Sequence, residues 1–204
     1  VLALAVVKGT YRGELPAEAR LAHRAGASPL RTLASRAYIG YTIAFSFVFG
    51  MMMAYISGSP FVFQRMAGLS EFEYGLVLGA GAVSMVIATG AAARQNTRVS
   101  TQGLLATGMS AVLCSVVILA VLVFAGAHPL SFVAPVLPMA AGVGLVLGNA
   151  AALALDVVPP AASGSASALL GAVQYAIAAL VTPLVSVAGE MSAIPLVVVM
   201  LACA

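Results

Sequence analysis

AYISGSPFVFQ, Ala54 to Gln64, follows a long, almost wholly apolar run and then turns apolar again. In a soluble core helix, Ser-Gly-Ser-Pro at this place is costly, because proline removes a backbone donor and its ring clashes with the preceding turn. In a bilayer the same stretch is admissible. Neighbouring helices, Ser and Thr side chains and local changes of helix pitch re-satisfy the freed groups there. The solvent this chain faces therefore decides its fold.

Composition answers that question. Of 204 residues, 62% are hydrophobic and only 7% charged, with a mean hydropathy of +1.10. Soluble domains carry about 25% charged residues, so a soluble chain this poor in charge lacks the groups to cover its surface. A membrane helix needs roughly 20 mostly apolar residues. Five stretches qualify: Tyr38 to Phe63, Tyr74 to Ala93, Gly103 to Ala127, Leu130 to Leu155 and Ser165 to Ala188. The runs are continuous rather than alternating over about ten residues, which excludes barrel strands. Val1 to Val7 reads as the end of an earlier span, Met191 to Ala204 as the start of a later one. Both ends are expected to lie inside a longer membrane protein, and the fold class is an all-α membrane bundle.

The basic residues set an expected orientation. Eight of the nine Lys and Arg residues lie in the loops around Lys8 to Arg36, Arg94 to Arg98 and Asp156 to Ser163. The opposite loops hold only Arg65, with Glu71, Glu73 and Glu190. The positive-inside rule places the first set in the cytoplasm. Residues 8–37 then form a long cytoplasmic connector between two bundles, and 38–204 the bundle that follows. The net charge of +3 forms no basic stripe with interleaved aromatics, so no nucleic-acid partner is expected.

Within the spans the informative residues are uncharged. No Asp, Glu, Lys, Arg or His lies between Glu73 and Arg94, or between Asp156 and Glu190. Between Arg98 and Asp156 there is only His128. Intramembrane carboxylates are the usual proton relays, and this stretch offers none near a midplane. No phosphate loop, catalytic triad or metal-ligand spacing is present, so no cofactor and no enzymatic activity are expected. Gln174 and Tyr175 sit near the middle of the fifth span, where an amide facing lipid is expensive. Asn149 is the comparable residue of the fourth span. Tyr41, Phe45, Phe49 and Met52 recur at helical spacing in the first. Gly58 and Pro60 loosen the end of that span, and Pro135, Pro138 and Pro183 fall in the same half of the membrane, a pattern expected of a gate. Asp156 ends the fourth span, where a negative charge opposes the helix dipole, and Arg94 or Arg98 on the same face is its expected partner. Gly75 with Gly79, and Gly144 with Gly148, have the four-residue spacing that lets helices approach closely in lipid.

AYISGSPFVFQ followed by GLSEFEYGLVLGA resembles the outer end of span seven and the start of span eight in the Bcr/CflA group, bacterial drug:proton antiporters of the major facilitator superfamily. GNAAALALDVVPPAASGSASALLGAVQYAIAAL, Gly148 to Leu180, is similar to that group's connection between spans ten and eleven, and GELPAEAR echoes the motif that opens its central loop. The loop AAARQNTRVSTQ is less basic than in the group. The resemblance implies the C-terminal six-helix half of a twelve-span multidrug efflux protein of the bacterial inner membrane. Residues 1–7 then end span six, and 38–204 hold spans seven to eleven and part of twelve. It also implies antibiotic resistance through proton-driven antiport, with substrate lined by Gln174, Tyr175, Asn149, Tyr41, Phe45 and Phe49. The coupling carboxylate is expected in the N-terminal half. The rival expectation is an importer of a sugar or organic acid, which requires a more densely polar lining.

Overall fold

Ser35 opens the first helix, its Oγ accepting the Tyr38 N–H at 3.3 Å. The structure, a computed structural model, describes residues 35–95, 99–186 and 193–204. Residues 8–34 of the expected connector, together with Arg98 and Glu190, lie outside the described residues. α1 runs Arg36–Pro60, two residues earlier than the hydropathy boundary, because Ser35 supplies a cap where the apolar run has not yet begun.

Pro60 does not end the span. The chain passes through it into one wider turn, Phe61–Met66, of π-helical hydrogen bonding. Proline inside a helix forfeits one bond and crowds the preceding turn, and a single π turn is a common local adjustment. Ser57 and Ser59 are the two serines beside Pro60 whose hydroxyls could bond the freed carbonyls. Ser59 instead pairs its hydroxyl with that of Tyr74 at 2.8 Å, while Ser57 is exposed.

α2, Glu71–Gln95, begins at a capping box. Ser70 N and Oγ each donate to Glu73 Oε2 at 2.8 Å, and the Glu73 N–H returns to Ser70 Oγ at 3.3 Å. α3 is Thr101–Phe124, capped by Ser100. A short turn, Pro129–Phe132, leads into α4, Val133–Asp156. α5 is Ser163–Val181, extended by the turn Thr182–Ser186. α6 is Ile194–Cys203. Five helices are long and apolar enough to cross a membrane. The described residues contain no strand, as an all-α membrane bundle requires.

The packing has an internal exchange symmetry. α1 packs on α5 and α6, and α4 packs on α2 and α3. α1 also packs on α4, and α3 on α6. Swapping α1–α3 for α4–α6 maps this pattern onto itself. The glycines mark the crossings. A Cβ on Gly50 would meet Ile177 Cγ2 at 3.0 Å, and a Cβ on Gly144 would meet Met85 Cγ at 2.7 Å. These are corresponding places in the two triplets. The pairing of Gly144 with Gly148 and of Gly75 with Gly79 is corrected in part. Only Gly144 backs onto a neighbouring helix, whereas Gly75, Gly79 and Gly148 face open space.

α1 and α5 run parallel in constant register. Tyr38 Oη donates to the Ala166 carbonyl at 2.7 Å, Gly50 backs onto Ile177 and Ala178, and Gly58 backs onto Val185. Arg36, Arg94 and Asp156 lie at one end of the bundle, Glu71 and Glu73 at the other. The buried core runs through the middle, with Met51, Val116, Val146 and Met200 fully enclosed.

Candidate functional site

The register of α1 on α5 brings together residues far apart in sequence. Phe45 and Phe49, one turn apart on α1, stack with ring centroids 6.5 Å apart and planes 6° from parallel. Tyr175 of α5 meets Phe49 edge-on, at 5.4 Å and 79°. Both geometries are favoured by the ring quadrupoles. Tyr175 is 64% exposed, so this junction presents an aromatic surface at mid-depth. Tyr41 continues the stripe toward the Arg36 end. Its hydroxyl accepts a bond from Gln102 Nε2 at 3.4 Å, which ties α1 to the start of α3.

Behind the aromatic junction the seam is polar. The Gln174 Oε1 is buried and has no hydrogen-bond partner, and the same holds for the hydroxyls of Thr42 and Ser46. Ser46 is 0% exposed, and the α1–α5 register places it at the level of Gln174. A buried polar group left unmet costs about 1–3 kcal/mol. Three such groups lie behind the one exposed aromatic cluster.

Asn149 is not part of this seam. Its Nδ2 donates to the Leu145 carbonyl of its own helix at 2.7 Å. Its side chain lines a separate groove of about 290 Å³ between α2, α3 and α4, with Thr89 and Thr101 on the walls. Gly58 lies where α1 meets α6: a Cβ there would fall 2.6 Å from Val185 Cγ1 and 2.9 Å from Leu196 Cδ1. It is a contact point, with Pro60 just beyond it at the change of pitch. Asp156 and Arg94 share one end of the bundle, both exposed, and neither forms an ion pair among the described residues. Arg98 lies outside the described residues.

A chamber of about 210 Å³ lies between α1, α2 and α4. Met52 and Ile56 of its wall continue the helical spacing of Phe45 and Phe49, so it borders the same face of α1. Sequence reasoning flagged only Met52 among its lining residues. Its α2 and α4 walls are aliphatic and carry no polar punctuation to distinguish them from core.

The chain matches the family model of the Major Facilitator Superfamily over residues 1–183. It is 27% identical over 190 residues to an uncharacterized MFS-type transporter, YdgK, of Bacillus subtilis strain 168, covering 91% of this chain and 46% of that protein. The chain therefore spans about half the length of the curated relative it matches. No solved structure matches.

Proposed function

The chain belongs to the Major Facilitator Superfamily, whose members carry small molecules across membranes, and from that membership we propose that it forms the C-terminal half of a proton-driven exporter of drug-like molecules in the Bcr/CflA group. The observation that carries the reading is the mid-depth junction of Phe49 and Tyr175 backed by the unmet amide of Gln174. Aromatic rings set at an angle to each other, with one neutral hydrogen-bonding group behind them, suit aromatic, mostly apolar substrates. A sugar or organic-acid importer needs a denser array of polar groups than this face offers. Alternating access follows from rocking of the two halves about a site near the midplane. Proton coupling falls to the N-terminal half, because the described spans carry no carboxylate at depth. The Arg36 end faces the cytoplasm of the bacterial inner membrane, by the bias of basic residues.

Gln174→Leu in the full-length protein tests this. Leucine keeps the bulk and removes only the amide. Resistance to several unrelated drugs, normalised to the amount of protein in the membrane, is expected to change in its ratio between drugs. An unchanged ratio removes Gln174 from the substrate surface and leaves it as a tie between helices. Uptake of a sugar or acid in place of drug export moves the reading to the importer.

A further inference from the structure

We propose that Ser59 is a two-position switch. Paired with Tyr74 of α2, it closes the Glu71 end of the chamber between α1, α2 and α4. Paired with Tyr55 of its own helix, it frees that end of α1 to part from α2. The proposal rests on the transport reading only for what such an opening serves.

Tyr74 grips α1 on both sides of Pro60. Its hydroxyl shares a hydrogen bond of 2.8 Å with Ser59 Oγ, just before the proline. Its ring stacks on Phe63, in the wider turn just after it, with centroids 6.3 Å apart and planes 29° from parallel. All three side chains are buried. Tyr74 is itself anchored, since its N–H donates to the Ser70 carbonyl at 2.9 Å in the first turn of α2. Prolines and π turns are the places where helices bend, and a side chain that spans such a break holds its angle.

The chamber shows what this grip closes. Met52, Tyr55 and Ile56 of α1, with Val77, Leu78 and Met85 of α2, line it, and all lie toward mid-depth from the Ser59–Tyr74 pair. The second position is already built. Tyr55, one turn before Ser59, has its hydroxyl beside the same serine. Ser59 thus stands between two tyrosine hydroxyls. A buried hydroxyl left unmet is costly, and turning from Tyr74 to Tyr55 keeps Ser59 bonded. The released Tyr74 hydroxyl lies one turn from the start of α2, where water reaches it once α1 parts.

The test is the rate at which a charged maleimide labels Leu78→Cys, a half-buried position of the chamber wall. It uses the purified full-length protein without other exposed cysteines, Cys114 among them. No substrate is present, so the result is independent of what is carried. Tyr74→Phe keeps the ring on Phe63 and removes the closing bond. Labelling is expected to quicken about fivefold, the worth of one hydrogen bond. Tyr55→Phe removes the alternative partner and is expected to slow labelling by about the same factor. Ser59→Ala takes a bond from both positions and is expected to leave the rate close to that of the parent. The opposite signs separate a switch from simple packing, which loosens in both tyrosine variants. Quickening in both, or no change in either, overturns the proposal. A poorly folded Tyr74→Phe is recognised by its melting temperature, and Tyr55→Phe then decides alone: slower labelling supports the switch, and unchanged or faster labelling overturns it.

Discussion

Gly108 and Gly142 face each other where α3 crosses α4. A Cβ on Gly142 would lie 2.8 Å from the Gly108 carbonyl oxygen, and one on Gly108 would lie 3.0 Å from the Gly142 carbonyl. Without a hydrophobic force between helices in lipid, such close backbone approach is a main source of association. Gly142→Ala is therefore expected to destabilise the bundle by about 1–3 kcal/mol, the usual cost of overpacking. Gly79→Ala, in open space, is expected to be neutral. Thermal unfolding of the purified protein in detergent compares them, and equal melting temperatures for the two variants would contradict the crossing.

Tyr38 holds the Arg36 ends of α1 and α5 together through one buried bond to the Ala166 carbonyl. Tyr38→Phe keeps the ring and removes the bond. The expected loss is about 1 kcal/mol, read as a lower unfolding midpoint. A midpoint equal to that of the parent shows that the ring's burial alone joins the helices.

Phe49 and Tyr175 are expected to be energetically coupled. A double-mutant cycle of Phe49→Leu and Tyr175→Leu, read as affinity for a planar drug, is expected to give an interaction energy of about 1 kcal/mol. Strict additivity means that the two rings meet the drug independently.

The sidedness proposed for the bundle is checked by single cysteines at Arg94 and Gly68. Cys114 is exposed and is first replaced by Ala. An impermeant thiol reagent added to intact cells is expected to label Gly68→Cys and to spare Arg94→Cys. The reverse pattern inverts the topology.

The spans were legible because a bilayer imposes one rule, about 20 apolar residues per crossing, and composition reports it directly. The five expected stretches correspond to five membrane-length helices. Their ends shifted where capping chemistry, not hydropathy, sets the boundary, as at Ser35 and Ser70. The junction of Phe45, Phe49 and Tyr175 was half-legible. Helical spacing named the residues, but only the parallel register of α1 on α5 joined them. The separation of Asn149 was not legible, since spacing within one helix says nothing about which neighbour it faces. The orphaned hydroxyl of Ser46 went unnoticed for a related reason. Serine is common in membrane helices, where bonding to a carbonyl of the preceding turn conceals it. Gly108 and Gly142 lack the four-residue motif, because they meet each other from two different helices at one crossing rather than lining a groove along one helix.

The matched contacts of the two helix triplets bear on heredity. Gly50 against Ile177 and Gly144 against Met85 keep their alignment only while each helix retains its length. Deleting one residue within α1 or α4 rotates everything beyond it by about 100° and misaligns contacts with several partners at once. Insertions and deletions among descendants of this gene are therefore expected to collect in the connectors, such as the stretch around Gly126 and His128. The helices should drift by substitution alone.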